Sequence, residues 1–293
     1  MLMRTGLLPN LPFETLSTTT MDTALETWDP ATTLSLPHIR AQLIRLEDTV
    51  LFHLIERAQF PLNSTIYTNP SPLPLPNAGN LSFMDWVLRS QEELQATIRR
   101  FQSPDQFPFF PDAVSRVPVV LPELQYPRVL WDNTVNVNSD LKSRYVSSVL
   151  PAVCRPTDRA ERVHDAQENY GSSATADIMC LQSLSQRIHF GKFVAESKFR
   201  QETQRFVDLI KSEDREGIDQ AITNAAVEKK VLERLRMKAE MYGADPNMDS
   251  EKEGTRKINV EAVVEMYQNL VIPLTKVVEV EYLMQRLKGT EWE

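Results

Sequence analysis

The chain has 293 residues, 42% of them hydrophobic and 25% charged, with a formal net charge of -8. That length allows one large domain or two small ones around a real core, and the acidic balance argues against nucleic acid or an anionic membrane as partner. No window approaches the ~18 apolar residues of a membrane span. Cys154 and Cys180 lie among apolar neighbours, with neither a disulfide framework nor a metal-ligand spacing, so buried thiols and a cytoplasmic, reducing compartment are expected.

In chain order, residues 1–24 are Ser/Thr-rich with the single basic residue Arg4, which fits neither a secretory nor a mitochondrial leader. They read as a disordered extension, with Met21 as an alternative start, ahead of one helical domain over 25–293. The chain carries only 8 glycines and few alternating β-branched runs, so the fold class is all-α. Ile39, Leu43, Leu46, Val50 and Leu54 recur at helical spacing and predict an amphipathic helix over about 35–59. The proline-rich stretch PLNSTIYTNPSPLPLPNAGN cannot be regular helix and reads as an ordered connector. Ser82 and Asp85 resemble a capping box opening a helix to about Phe101, with Phe83, Val87, Leu94, Ile98 and Phe101 as its apolar stripe. A second proline-rich connector spans about 103–136, a short helix follows near 139–153, and 155–172 reads as exposed loop. Thr175 is expected to cap a helix over 176–207 that buries Ile178, Leu181, Ile188 and Val194. A helix opens near Ser212, and another runs over 223–242 until Gly243 and Pro246 stop it. After a charged loop at 244–257, Asn259 reads as the N-cap of a helix over 259–288 that Pro273 kinks.

The chemistry-bearing groups sit on these helices. Arg187 and Lys198 are 11 residues apart, about three turns with a residual rotation of roughly 20°, so their attachment points align ~16 Å apart and their side chains can converge on an anion. Gly191 lies on the same face and leaves room against the backbone. Such a pair, taken alone, is also what a solvated helix surface shows. Asn224 with Glu228, and Thr275 with Glu279, each put two polar groups on one helical face; exposed decoration is the alternative reading. Glu279 stands among Val277, Val278 and Val280, which implies burial and a carboxyl that stays protonated. Arg40 follows the core position Ile39 and is placed either in solvent or at one end of a bundle pocket. His38, His53, His164 and His189 form no HExxH or di-iron pattern, no Gly-rich loop follows a strand, and no Ser–His–Asp set stands out. No metal site and no cofactor are expected.

The strings LPHIRAQLIRLEDTVLFHLIER, IRRFQSPDQFPFFP, CLQSLSQRIHFGKFVAESKF, TNAAVEKKVLERL and IPLTKVVEVEYLMQRL, in this order over roughly 25–288, resemble the fungal and plant type of chorismate mutase. The resemblance implies an all-α homodimer that converts chorismate to prephenate on the route to phenylalanine and tyrosine, a pericyclic step needing no nucleophile. It carries the catalytic pattern onto Arg40, Arg187, Lys198, Asn224, Glu228, Thr275 and Glu279. Arg40 and Arg187 would clamp the two carboxylates. Lys198 and a protonated Glu279 would donate to the ether oxygen. Glu228 would hold the ring hydroxyl, and Asn224 and Thr275 would complete the lining.

The same resemblance implies an effector site at the dimer interface, where tyrosine inhibits and tryptophan activates in the fungal members. It maps onto Arg99 and Arg100, and onto Asn169, Gly171, Ser172 and Thr175 of the partner subunit, making about 80–102 and 165–176 the regulatory elements. Without the resemblance, Arg99 and Arg100 read as a solvated helix end. Glu168 stands where the family often has Asn, and the 244–257 loop departs from the pattern. A catalytically inactive helical homologue, retained as an amino-acid-binding or scaffold protein, is the alternative function.

Overall fold

The computed structural model describes residues 29–124, 126–154, 165–244 and 256–293; the expected extension over 1–24 lies outside them, as do parts of the 155–172 and 244–257 loops. Among the described residues there is no strand. The main helices are α1 (Leu36–Arg57), α2 (Phe83–Thr97), α3 (Asn138–Arg144), α4 (Tyr170–His189), α5 (Gly191–Gln201), α6 (Thr203–Lys211), α7 (Arg215–Ile222), α8 (Ala225–Gly243), α9 (Val260–Met266) and α10 (Ile272–Gln285). One apolar core runs through the bundle, with Val50, Leu54, Tyr145, Leu181, Leu235, Tyr267 and Val278 in it. A smaller cluster packs Ile39 and Leu46 of α1 against Phe190 and Phe193 at the α4–α5 junction.

Several boundaries follow from local chemistry. Ser82 accepts the Asp85 N–H at 3.0 Å, Asn224 the Val227 N–H at 3.2 Å and Asn259 the Ala262 N–H at 3.3 Å, each satisfying an otherwise orphaned donor of a first turn. The two prolines inside helical runs are absorbed in the same way. Ahead of Pro151 the helix widens to a π turn over Tyr145–Val149, and ahead of Pro273 to one over Tyr267–Val271, where the ring's clash and missing N–H are tolerated. The expected 139–153 and 259–288 helices are therefore each interrupted rather than merely kinked.

Other expectations are corrected. The helix assigned to 176–207 begins six residues earlier, at Tyr170, and is broken into α4, α5 and α6. Thr175 is not its cap: its hydroxyl donates to the Gly171 carbonyl at 2.9 Å from inside the first turns. Residues 170–173 are helical because buried Ser173 receives the Asn63 amide at 2.8 Å, a tertiary contact that outweighs the weak local propensity of Gly and Ser. Near Ser212 a helix ends rather than opens, and Asp214 caps the next one through the Gly217 N–H. The helix from Phe83 stops at Thr97, and its stripe is not the buried face: Leu94 is 66% and Ile98 49% exposed, while Met84, Leu88, Glu92 and Ala96 point inward.

The connectors are ordered by buried polar groups. Arg57, wholly buried, ion-pairs with Asp177 at 2.6 Å and donates to the carbonyls of Phe60, Pro61 and Leu62, which pins the first proline-rich stretch. Glu92 accepts the N–H groups of Phe109 and Phe110, and Lys192 donates to the Val135 carbonyl at 2.6 Å, fixing the second. His189 belongs to this framework too, accepting the Val137 N–H at 3.1 Å; burial pushes its pKa down to about 3.

Candidate active site

The site is assembled where α5 and α10 pack side by side. They approach closely because Gly191 has no side chain: a Cβ there would lie 3.0 Å from Thr275 Cγ2, 3.1 Å from Glu279 Cγ and 3.2 Å from the Thr275 carbonyl oxygen. The room expected beside Gly191 for a ligand is occupied by α10. Its effect is to press Thr275 and Glu279 against the start of α5, between the residues carrying Arg187 and Lys198.

Glu279 is 7% exposed. Burial pushes its pKa up to about 8, against the opposing pull of Lys198, Arg187 and Lys276 in that order. At neutral pH it is therefore a protonated acid between two cations, able to donate a hydrogen bond. Half-buried Lys198 donates to the Ile222 carbonyl at the end of α7, and burial lowers its pKa while Glu279 and Glu202 oppose. Arg187 is 6% exposed, yet its Nε and Nη1 are buried without an acceptor, as are the Tyr267 hydroxyl and the Thr223 hydroxyl. Burial raises the Tyr267 pKa and nearby Arg187 pulls it back, so the phenol and guanidinium share one neighbourhood. Buried donors left unpaired are rare in folded proteins, and the Arg187 guanidinium beside the Tyr267 hydroxyl suits an acceptor-rich, anionic ligand.

Two further elements close the site. Asn224, as N-cap, sits at the mouth of α8, and Glu228 in the next turn ion-pairs with Lys276 at 2.9 Å, bringing the first turns of α8 and α10 together. α1 and α8 run parallel and in step, with buried Glu47 on Arg234 at 2.6 Å, Asp48 on Lys238 at 2.6 Å and Phe52 stacked on Tyr242 at 4.9 Å. Seven residues back from Glu47 and Arg234 stand Arg40 and Val227, so exposed Arg40 lies level with the turn bearing Asn224 and Glu228. Tyr267 and Thr223 carry no signal in the sequence. Neither belongs to a polar pair at helical spacing, and Tyr267 reaches the site across a π turn that shifts the helical phase.

The residues expected at the effector site divide into two groups within one chain. Helices α2 and α4 run parallel and in register, Phe83 beside Tyr170 at 6.5 Å and Gln95 bonded to Gln182 at 2.8 Å. Arg99, in left-handed backbone at φ 62, and Arg100 follow the end of α2, level with about residue 186. Asn169, Gly171, Ser172 and Thr175 lie at the opposite end of α4, roughly 20 Å away at ~1.5 Å per residue. One chain does not bring them together. Arg100 bonds Gln106 at 3.2 Å, and burial lowers its pKa against Asp105 and Glu92.

Among the described residues no group of three or more His, Cys, Asp or Glu side chains could hold a metal ion, and no helix is long and apolar enough to cross a membrane. Both cysteines are buried. Fold and site together describe an all-α protein in which buried Glu279, a neutral carboxylic acid, lies within electrostatic reach of Lys198 and Arg187.

Residues 169–280 match the family model described as chorismate mutase type II. The chorismate mutase of Emericella nidulans is 59% identical over 273 residues, covering 93% of this chain and all of the relative. Among solved structures, a Candida albicans chorismate mutase in complex with L-Trp superposes with a TM-score of 0.82 at 41% identity, covering 90% of this chain and 96% of that one. A second, with tyrosine bound in its allosteric site, gives 0.74 at 36% identity, covering 89% and 99%. The chain belongs to the chorismate mutase family, and it is an enzyme of that activity, an isomerase that rearranges chorismate to prephenate.

Proposed function

We propose that the rearrangement is carried by Arg40, Arg187, Lys198, Asn224, Glu228, Thr275 and Glu279, and that the enzyme is a homodimer regulated by tyrosine and tryptophan. Chorismate is a dicarboxylate that rearranges within itself, so its catalyst must hold a compact conformer and stabilise negative charge growing on the breaking ether oxygen. Arg187, with two unpaired buried nitrogens, takes one carboxylate, and Arg40 closes over the other from the α1 side. Lys198 and protonated Glu279 donate to the ether oxygen from fixed, water-poor positions. Glu228 receives the ring hydroxyl, with Asn224 and Thr275 completing the wall. Holding the reactive conformer and electrostatic stabilisation share the acceleration. The single observation that carries this reading is the cluster of buried, unpaired donors around Arg187 beside a carboxyl held neutral by burial.

Regulation draws on the same frame. Arg99 and Arg100 of one subunit take the effector carboxylate, while Asn169, Gly171, Ser172 and Thr175 of the partner subunit receive its ammonium and ring. Two observations support a site shared between chains: the two groups lie far apart within one chain, and the apolar stripe of α2 at Leu94 and Ile98 is left uncovered, as an interface requires. Helix α4 carries Thr175 near its start and Arg187 near its end, so an effector touches the element that bears the clamp. Two cysteines buried in the apolar core support a cytoplasmic site of action.

The experiment is loss of chorismate absorbance on adding purified protein, repeated with each amino acid, alongside sedimentation to determine the number of subunits. Turnover, suppression by tyrosine and stimulation by tryptophan are expected from a dimer. Folded protein without turnover would reject the catalytic assignment, and turnover indifferent to both amino acids would reject the effector site alone.

A further inference from the structure

Beyond the far end of α10 lies a second feature that neither catalysis nor regulation uses. An open cleft of about 400 Å³ is lined by Trp131, Arg200, Arg286, Thr290, Glu291 and Trp292, placing two of the chain's 4 tryptophans and two arginines around one space. Arg286 is 5% exposed. Its guanidinium lies 4.2 Å from the Trp131 ring centroid and 4.3 Å from that of Phe199, with Nε and Nη2 on the Glu196 carboxylate at 2.6 and 3.1 Å. Its Nη1 is buried with no acceptor.

The charge around Glu196 is unbalanced. This wholly buried carboxylate also receives Arg200 at 2.9 Å and the Tyr282 hydroxyl at 2.7 Å, so two guanidinium groups share one anion. Arg200, with 39% of its side chain exposed, keeps donors at the mouth. Glu291 is the remaining acid of the lining, and it is exposed, where water screens it. Trp292 stands edge-on to Phe199 at 6.0 Å and shares the lining with Trp131, whose ring also carries the Arg128 guanidinium at 5.1 Å. The cleft begins about 10 Å along the helix from Glu279, at ~1.5 Å per residue, and is separate from the residues assigned above.

We propose that this cleft binds a small carboxylate with a flat aromatic body. The ring is received by the two indoles, and the carboxylate supplies the acceptor that the Arg200–Glu196–Arg286 cluster lacks. A compact inorganic anion would satisfy the charge but leave the indoles uncovered.

The test uses the full chain and 3-phenylpropionate as probe, read by titration calorimetry and by tryptophan fluorescence, with 3-phenylpropionamide as the uncharged match. One saturable site per chain is expected, about tenfold or more weaker for the amide because it loses a charge-assisted pair. Trp292→Ala and Arg200→Gln should each weaken binding of the acid by a similar factor, whereas Arg187→Gln and Arg100→Gln should leave it unchanged. Absence of saturation, equal binding of acid and amide, or binding that survives Trp292→Ala and disappears in Arg187→Gln or Arg100→Gln would each overturn the assignment.

Discussion

Replacing Glu279 with Gln isolates the proposed acid whose protonation burial favours. Burial between α5 and α10 pushes its pKa up to about 8, so the carboxyl is about nine-tenths protonated at pH 7 and about one-tenth at pH 9. Only the protonated form can donate to the ether oxygen, and the ionised form also repels a dianionic substrate. The sign follows: activity is full below the folded-state pKa and is lost as pH rises through it. For the wild type, kcat/KM should fall about tenfold between pH 7 and pH 9, and about tenfold more with each further unit. The amide of Glu279→Gln donates at every pH, so that decline should vanish. A fall from Lys198 should remain, because burial lowers its pKa and the variant removes the Glu279 charge that opposes this. The assay is initial chorismate loss across a constant-ionic-strength pH series, with circular dichroism confirming the fold at each end. A fall in Glu279→Gln with the same midpoint and steepness as in the wild type would refute the reasoning.

Two further perturbations address the clamp and its packing. Arg187→Ala removes the proposed charge-assisted contact to substrate and should lower kcat/KM by about a hundredfold or more, with Arg187→Lys failing to restore it because an ammonium lacks the planar set of donors; near-wild-type kinetics in either variant would place Arg187 outside the site. Gly191→Ala adds a Cβ 3.0 Å from Thr275 Cγ2 and 3.2 Å from the Thr275 carbonyl, so α10 must move. A loss of about 1–3 kcal/mol in urea unfolding is expected from such overpacking, together with a lower kcat, and unchanged stability would mean that the helices do not touch as described.

What the sequence made legible depended on whether a signal was local. Ser82 and Asn259 announce helix starts through bonds three residues away, and both helices begin there. Tyr170–Ser173 gives no such signal, because its helical state rests on Asn63, more than a hundred residues earlier in the chain. The stripe through Leu94 and Ile98 was correctly periodic, but periodicity states that a face is apolar and not what covers it. The polar pairs on α8 and α10 showed their spacing in sequence, yet their meeting depends on the Gly191 packing contact and on π turns that change which residues face inward. Tyr267 and Thr223 became visible only as unpaired atoms, a property that exists only once the chain is folded.

The in-step pairing of α2 and α4 has a consequence for how the enzyme responds to its own concentration. If half of an effector site ends one helix and the other half begins a neighbour roughly 20 Å away, a lone subunit can hold neither amino acid well. Effector binding and subunit association are then linked equilibria, and each ligand that occupies the shared site strengthens the dimer by RT ln(1 + [L]/Kd). Dilution should loosen the grip on effectors before it touches the proposed catalytic residues, all of which lie within one chain.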